Sequence, residues 1–479
     1  MNKLKVTLLV SILLASLLLS IAPLGAYPNL KWTFQDPQFT DPRPNHNILA
    51  DVDGDGYLEI IVAQYPYPVY CINHDGSLRW KSSSIADPEQ GGLKAADVDG
   101  DGFIEIIVHG ADDPANGVFV FLDGRTGNQK WVSEAFGGDA DSIPAIGDID
   151  RDGIIDIIVI CNYGDGLASI DGRNGTTKWK YIADRKLCYT NVGPVLTDID
   201  LDGKLEIIVP GENNNDEVYC FESDGSIKWH NTYTTSSSAF IRVTPTVGDF
   251  DRDGYPEIVV SNEAGVVYMI EHDGTIKWTN DQLTTLPFSF LVYARNIVSG
   301  DLNNNGQHEI VVSGSNSDSG SGFLAAFDRN GNLLWQKNST MTGNDKVSIS
   351  RYTELALADI NNDNRLEILY YNKDYLRIEA RDYSGAYLWS YSSPEGKEFR
   401  DGGPSVADID KNGRLEMIAT SINNAVFCFD IGPDNRHRTN RWVTYSFDNY
   451  NSGFFTYVTN APKSLPIDRI LKILEDNKE

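Results

Sequence analysis

Residues 51–60 read DVDGDGYLEI, and a string of the same form returns seven more times along the 479-residue chain. The eight strings begin at Asp51, Asp97, Asp148, Asp198, Asp249, Asp301, Asp359 and Asp408. A period of about 50 residues is typical of a repeat architecture, in which every repeat is one supersecondary unit. The sequence therefore predicts one array of eight similar units rather than a series of unrelated domains.

The tryptophans follow the same period. All nine recur once per repeat or at the two ends of the array, and they are Trp32, Trp80, Trp131, Trp179, Trp229, Trp278, Trp335, Trp389 and Trp442. Most of them end a phrase such as DGSLRW, in which an Asp-Gly turn leads into a short alternating strand. Within the third repeat the pattern predicts four strands, at residues 143–148, 154–160, 167–171 and 176–181.

Four short antiparallel strands per repeat predict an all-β fold, a β-propeller of eight blades. A single blade would expose both faces and an edge, so the blades must stack around an axis and the ring must close. Nine tryptophan strands for eight acidic strings leave one surplus strand. We expect the segments around Trp32 and Trp442 to share closure of the last blade, and a seven-bladed ring with an extra hairpin is the alternative.

The acidic strings have the composition of calcium loops. Numbered from the first Asp, the fullest strings carry carboxylates at positions 1, 3, 5 and 9 and Gly at position 6. Calcium needs hard oxygen ligands at alternate positions and a residue that permits a sharp turn, and the carbonyl of position 7 adds a main-chain ligand. An EF-hand is excluded, because position 12 of the first string is Val62 rather than a bidentate Glu. Simple polar turns are the alternative interpretation, but eight copies with one spacing favour metal loops.

We therefore predict five to eight Ca²⁺ ions, each in a hairpin between two strands. The candidate ligands are Asp51, Asp53, Asp55, Tyr57, Glu59, Asp97, Asp99, Asp101, Phe103, Glu105, Asp148, Asp150, Asp152, Ile154, Asp156, Asp198, Asp200, Asp202, Lys204, Glu206, Asp249, Asp251, Asp253, Tyr255, Glu257, Asp301, Asn303, Asn305, Glu309, Asp359, Asn361, Asp363, Glu367, Asp408, Asp410, Asn412, Arg414 and Glu416.

The strings differ in acid content. The first five carry four carboxylates each, the sixth carries only Asp301 and Glu309, and the seventh has Asn364 in place of Gly. We expect the sixth and seventh to bind calcium most weakly or to stay empty. The strings contain 28 acidic residues, which equals the formal net charge of −28 in magnitude. Metal loops thus explain most of the acidity, and so acidic a surface excludes nucleic acid as a partner.

These strings resemble the FG-GAP or VCBS repeats of the integrin α-subunit propeller, over about residues 46–430. The resemblance implies that the calcium hairpins join the first and second strands of each blade on one face, and that ligands meet the opposite face. The tryptophan phrases also resemble blades of propellers that bind pyrroloquinoline quinone, but the chain has no adjacent-cysteine pair of the kind quinone dehydrogenases carry. Related eight-bladed propellers include rhamnogalacturonan lyases, so the likeness allows a binder or an enzyme.

Arginines recur on the segments that precede the strings. Five of the eight repeats place an Arg six to eight residues ahead of the first Asp, where the chain would line the mouth of the channel. We name the candidate ligand-binding residues the mouth set: Arg43, Arg242, Arg295, Arg351, Tyr352 and Arg400. Guanidinium groups match carboxylates bidentately, so a uronate-like ligand fits. Pairing with neighbouring acids is the alternative interpretation, and we assign no catalytic residues, since Asp141 and Asp401 are weak candidates for a base.

The chain ends predict a secreted protein. Residues 1–26 read as a signal peptide cleaved near Ala26, with a membrane anchor as the alternative, and no later segment is long and apolar enough to span a membrane. Residues 27–460 would form the propeller, and 461–479 a short helix. Cys71, Cys220 and Cys428 occupy matching strand positions and should be buried, whereas Cys161 and Cys188 form a disulfide or stay free.

Together these patterns predict a secreted, calcium-binding propeller that acts outside the cell or at its surface as a recognition or adhesion module for glycan or protein. A polysaccharide lyase and a purely structural cell-surface protein are the alternatives.

Overall fold

The computed structural model describes most of the repeat array. The described residues are 28–36, 44–64, 67–83, 92–111, 116–137, 142–161, 166–182, 187, 192–211, 216–233, 240–285, 292–316, 321–349, 353–393, 396, 399, 402–421 and 425–432. The predicted signal peptide, the Trp442 segment and the C-terminal helix lie outside these residues.

In the described part of the chain, thirty-three strands form eight antiparallel sheets. Six sheets have four strands in sequential order, the second sheet has a fifth strand because β9 and β10 both pair with β8, and the last sheet is completed by β1. The first four blades contain β2 (Pro44–Ala50), β3 (Glu59–Gln64), β4 (Tyr67–Ile72) and β5 (Leu78–Lys81); β6 (Lys94–Ala96), β7 (Glu105–Ala111), β8 (Asn116–Asp123), β9 (Gln129–Val132) and β10 (Phe136–Gly137); β11 (Ala145–Gly147), β12 (Asp156–Cys161), β13 (Gly166–Asp171) and β14 (Thr177–Tyr181); and β15 (Val195–Thr197), β16 (Glu206–Gly211), β17 (Glu217–Phe221) and β18 (Ile227–Thr232).

The last four blades contain β19 (Thr246–Gly248), β20 (Glu257–Ser261), β21 (Val267–Ile270) and β22 (Ile276–Asn280); β23 (Val292–Gly300), β24 (Glu309–Asn316), β25 (Ser321–Phe327) and β26 (Leu333–Asn338); β27 (Ala356–Ala358), β28 (Glu367–Asn372), β29 (Arg377–Arg381) and β30 (Tyr387–Ser392); and β31 (Ser405–Ala407), β32 (Glu416–Thr420), β33 (Ala425–Asp430) and β1 (Asn29–Gln35). Among the described residues, two short 3₁₀ helices, Gln282–Thr285 and Gly343–Asp345, follow β22 and β26. The four-stranded, eight-bladed prediction is confirmed.

The ring closes with a strand from the start of the chain. β1 pairs antiparallel with β33, and Trp32 lies opposite Cys428. The inner strand of the first blade, β2, lies against β31 of the last blade. Closure by the Trp32 segment is therefore confirmed and the seven-bladed alternative is excluded, whereas the Trp442 half of that prediction lies outside the described residues.

The tryptophans join each blade to the next one. In six blades the indole Nε1 donates a hydrogen bond of 2.7–3.1 Å to a carbonyl in the turn between the third and fourth strands of the following blade; the donors are Trp32, Trp80, Trp179, Trp229, Trp278 and Trp335. The turn glycine is needed for this contact. Gly331 has a φ of +80°, and a Cβ there would come within 2.6 Å of the Trp278 ring. Glycine in the turn thus permits both the turn conformation and the close contact between the blades.

The core lies between the blades. Strands β16, β20 and β24 place fully buried side chains against their neighbours, such as Ile208, Val259 and Val312 in one continuous cluster. Cys71, Cys220 and Cys428 are buried free thiols, as expected. The Cys161 and Cys188 side chains lie outside the described residues, so their pairing stays a prediction. No helix in the described part of the chain has the length and hydrophobicity of a membrane span.

Candidate metal sites

Every acidic string forms the hairpin between the first and second strands of its blade. The string that begins at Asp249, for example, follows β19 and ends at Glu257, the first residue of β20. Because the blades are equivalent around the ring, all eight hairpins lie on one face of the propeller, which we call the lower face. We call each hairpin a loop and number it by its blade.

The loops share one backbone conformation whatever their acid content. Positions 4 and 6 have positive φ in all eight loops, with values of 55–77° at position 4 and 69–100° at position 6. Sequence reasoning assigned this role to Gly at position 6. It missed position 4, where only two loops carry Gly and Arg151, Leu201 and Lys411 are among the other residues. The left-handed conformation costs little for Gly and more for these side chains, so the loop is strongly specified.

The acid at position 9 anchors the loop to its blade. It is at most 4% exposed in all eight loops. One of its carboxylate oxygens accepts the backbone N–H of position 2 at 2.8–3.4 Å in every loop. A buried carboxylate that receives only part of its hydrogen bonds is costly. The second oxygen therefore requires a donor or a cation.

The acid at position 1 divides the loops into two groups. In loops 2–5 its Oδ1 atom is buried and accepts no hydrogen bond; these residues are Asp97, Asp148, Asp198 and Asp249. In loops 6–8 the same atom accepts the backbone N–H of position 5 at 2.9–3.0 Å, on Asp301, Asp359 and Asp408. In loop 1, Asp51 Oδ1 accepts the N–H of Gly54 at 2.8 Å.

Several carboxylates in these loops can reach one point. In loop 5 the ligand atoms of Asp249, Asp251, Asp253 and Glu257 all lie within 4.8 Å of one another. Loops 1–4 each bring three acids equally close. Four negative charges at this distance repel one another strongly unless a cation lies between or beside them.

Burial raises the pKa values of these acids. Desolvation raises the pKa of Glu59, Glu105, Glu206 and Glu257 to about 7, of Asp156 to about 6, and of Glu416 to about 8. Burial also raises the pKa of position 1 in Asp148, Asp198 and Asp249. The charged forms are thus unfavourable without a cation.

A basic side chain reaches six of the loops from the outer strand of the same blade. In loop 5, Lys277 Nζ lies 2.5 Å from Asp251 Oδ2 and 3.3 Å from Glu257 Oε1. Burial alone would lower the pKa of Lys277, but hydrogen bonds to Asp251 and Glu271 outweigh it and the pKa is raised. The ammonium group therefore stays charged. Sequence reasoning missed this residue, although it stands directly before Trp278.

The sequence model of the FG-GAP-like repeat matches residues 51–108 and 198–260, which include loops 1, 2, 4 and 5. The eight blades and their shared hairpin conformation agree with this match. The chain is an eight-bladed β-propeller with FG-GAP-like repeats.

Solved structures share the fold of this FG-GAP-repeat propeller at low sequence identity. The V. cholerae biofilm matrix protein Bap1 has a TM-score of 0.60 and 17% identity, over 91% of this chain and 96% of that chain. The quinohemoprotein alcohol dehydrogenase from Comamonas testosteroni has a TM-score of 0.58 and 12% identity, over 85% and 76%. BamB from Moraxella catarrhalis has a TM-score of 0.54 and 16% identity, over 84% and 99%. Among curated proteins, none matches the chain significantly.

Only one residue of the mouth set has a side chain within the described residues. Arg242 is described in full: its Nη1 lies 2.9 Å from Glu263 Oε1, and its guanidinium lies 4.6 Å from the centre of the Phe240 ring. This contact agrees with the alternative of acid pairing for that one residue. The Arg295 backbone belongs to β23, but its side chain and Arg43, Arg351, Tyr352 and Arg400 lie outside the described residues, as do Asp141 and Asp401. Anion binding by this set stays a prediction.

Proposed function

We propose that this chain is a secreted, calcium-stabilised β-propeller that acts as an extracellular recognition or adhesion module for glycan or protein. Calcium holds the lower-face loops, and the ligand meets the opposite face. The observation that best supports calcium binding is the set of buried position 1 oxygens that accept no hydrogen bond in loops 2–5.

The donor set fits calcium. The ligands would be the carboxylates at positions 1, 3, 5 and 9 and the carbonyl of position 7, all hard oxygen atoms of the kind calcium prefers. Loop 5 supports this best, because its four acids converge and Asp249 Oδ1 has no other partner. In loop 4, Glu206 Oε1 is also buried without a hydrogen-bond donor. When bound, calcium would supply the positive charge that these oxygens lack.

Calcium bound in this way would hold the fold together. If a loop has a dissociation constant near ~10⁻⁴ M and free calcium is ~1 mM, mass action stabilises the folded chain by about 1.4 kcal/mol per loop. Five such loops would rival the net stability of an ordinary domain, about 5–15 kcal/mol. Tryptophan hydrogen bonds join six of the blades to the next one, so the loss of several ions would weaken the whole ring.

Thermal unfolding tests the calcium part directly. The melting temperature of the mature protein should fall by many degrees when EDTA replaces calcium, and added calcium should restore it. Magnesium at equal concentration serves as the control, because it demands a smaller octahedral site and retains its water. An unchanged melting temperature in EDTA would contradict calcium stabilisation.

The recognition part rests on the division of the two faces. The acidic loops occupy the lower face, and their polar groups contact one another or the proposed calcium ions. The opposite face, where the sequence analysis places the mouth set, is therefore the face available to a ligand. Bap1, which shares the fold, is a biofilm matrix protein. That agrees with an extracellular role, and the predicted signal peptide leads to the same compartment.

Affinity electrophoresis tests the recognition part. The calcium-loaded protein is run through native gels that contain an acidic polysaccharide such as polygalacturonate, a neutral one, or none, and the gels are then stained for intact polymer. Retardation without clearing supports a glycan-binding module, and clearing around the band indicates a lyase. The Arg295→Ala variant should lose retardation in the acidic gel, whereas Lys337→Ala, on the outer strand β26, should keep it. Equal migration of wild type in all gels would favour a protein partner.

A further inference from the structure

The basic residue that reaches the loops varies together with one loop position. In six blades the residue directly before the outer-strand tryptophan is Lys or Arg, and position 3 of the same blade's loop is Asp. In blades 6 and 7 the residue before the tryptophan is Leu334 or Leu388, and position 3 is Asn303 or Asn361. All eight blades obey this pairing. The pairs with a basic residue are Arg79 with Asp53, Lys130 with Asp99, Lys178 with Asp150, Lys228 with Asp200, Lys277 with Asp251, and Lys31 with Asp410.

The geometry explains the pairing. In the six basic blades a side-chain nitrogen lies 2.5–3.1 Å from the Oδ2 atom of position 3. The same residue lies 2.8–4.0 Å from the buried acid at position 9. One cation thus bridges two carboxylates, one of which has no access to water.

Blades 6 and 7 solve the same problem without a charge. Asn303 Nδ2 donates to Glu309 Oε1 at 2.6 Å, and Asn361 Nδ2 donates to Glu367 Oε1 at 3.0 Å. The amide at position 3 therefore replaces both the acid and the cation of the other blades. A Lys before the tryptophan would have no position 3 carboxylate to contact there, and Leu is found instead.

We propose that the Lys or Arg before the tryptophan is a tethered counter-cation of the acidic loop. It keeps the position 3 and position 9 carboxylates together when the loop holds no metal, and it lowers the affinity of that loop for a divalent ion. The second half rests on the proposed calcium function, whereas the first half does not. The lysine contacts Asp251 Oδ2 and Glu257 Oε1, while Asp249 Oδ1 remains without a donor, so a metal and the ammonium group would share one cluster and repel each other.

A double-mutant cycle in loop 5 tests the first half, with the full mature chain in EDTA. The variants are Lys277→Leu, Asp251→Asn and the two combined, and the combination reproduces the pair found in blades 6 and 7. We expect Lys277→Leu to lower the melting temperature by about 3 °C or more, and the added Asp251→Asn to restore at least half of the loss. Lys337→Leu is the matched control, because Lys337 on β26 is as buried as Lys277 but pairs at 2.5 Å with the exposed Asp345 instead of with a loop acid. It should lower the melting temperature by less than about 1 °C.

Two results would contradict the proposal that Lys277 keeps the two carboxylates together. One is additive effects in the cycle, and the other is a Lys277→Leu variant with the same melting temperature as Lys337→Leu. If Lys277→Leu does not fold, the combined variant decides. Folding of the combined variant supports the pairing, and its failure to fold contradicts it.

The response to calcium then tests whether the basic residue lowers the affinity of the loop for a divalent ion. The rise in melting temperature between EDTA and saturating calcium should be larger in Lys277→Leu than in wild type, because the repelling charge is gone. An equal or smaller rise would refute the effect on affinity. If wild type itself does not respond to calcium, the proposed function is wrong, but the cycle in EDTA still decides whether the tethered cation holds the loop.

Discussion

Loops 5 and 6 are neighbours in the ring and have the same backbone, but they satisfy their polar groups differently. Both have positive φ at positions 4 and 6, and in both the buried Glu at position 9 accepts the N–H of position 2. In loop 5, Asp249 Oδ1 has no donor and Lys277 bridges two acids. In loop 6, Asp301 Oδ1 accepts the N–H of Asn305 at 2.9 Å. The hairpin is therefore fixed by the backbone and the position 9 acid, and in the proposed function the remaining acids add the capacity for metal.

The largest expected effect is a loss of stability on removal of the position 9 acid, and it should be equal in loops 5 and 6. Replacement of the position 9 acid by Ala, as Glu257→Ala or Glu309→Ala, removes the acceptor of a buried N–H and should cost about 2–4 kcal/mol, including the lost packing. Chemical denaturation in EDTA measures it. The matching Gln variants retain an acceptor oxygen and should lose less. A large effect in blade 5 but none in blade 6 would show that the two loops are not held by the same contact.

A change at position 1 should affect loop 5 but not loop 6. Asp249→Asn removes a calcium ligand charge and should reduce the calcium-dependent part of the unfolding free energy by about 1.4 kcal/mol, with little loss in EDTA. Asp301→Asn is the control and should leave that part unchanged, because loop 6 is expected to hold no calcium. Unfolding at several calcium concentrations gives both values. Equal losses of the calcium-dependent part in the two variants would remove the distinction.

The smallest expected effect is a gain of calcium binding in loop 6. The triple change Asn303→Asp, Asn305→Asp and Leu334→Lys gives loop 6 the acids and the basic residue of loop 5, and it should add one bound calcium ion per chain with a stabilisation of about 1 kcal/mol. Calorimetric titration of the variant against wild type counts the extra ion. The Leu334→Lys change alone should add none. A triple variant with an unchanged ion count would mean that these acids and the basic residue together do not define the site.

The repeat made most of the fold predictable. The spacing of the Asp strings and of the tryptophans predicted eight blades, and the strand limits in the third repeat agree within two residues with β11–β14. Ring closure was left open because the one surplus strand has two candidate segments, at Trp32 and at Trp442, and the pairing of Trp32 with Cys428 shows that the first of them closes the ring. Long-range pairing of this kind depends on where the ring brings its ends, and no local pattern encodes it.

The candidate site was predictable in its ligands but not in its partners. The positions of Asp251 and Glu257 within one string give the carboxylate pair, whereas the approach of Lys277 depends on the pairing of the fourth strand with the third. A comparison among the repeats could have found it, since Asn at position 3 always accompanies Leu before the tryptophan. The contact between Arg242 and Glu263 likewise joins two segments that are separate in sequence, so pairing with that acid was not foreseen.

Equilibrium dialysis is the most direct test of whether the acidic loops bind calcium. The mature protein is dialysed against buffer with about 1 mM free calcium, and bound calcium per chain is measured by elemental analysis. We expect at least five ions per chain and fewer than eight, because loops 1–5 carry the full acid set while loops 6 and 7 satisfy their own oxygens. No bound calcium would contradict the metal assignment, and eight bound ions would contradict the division between the two kinds of loop.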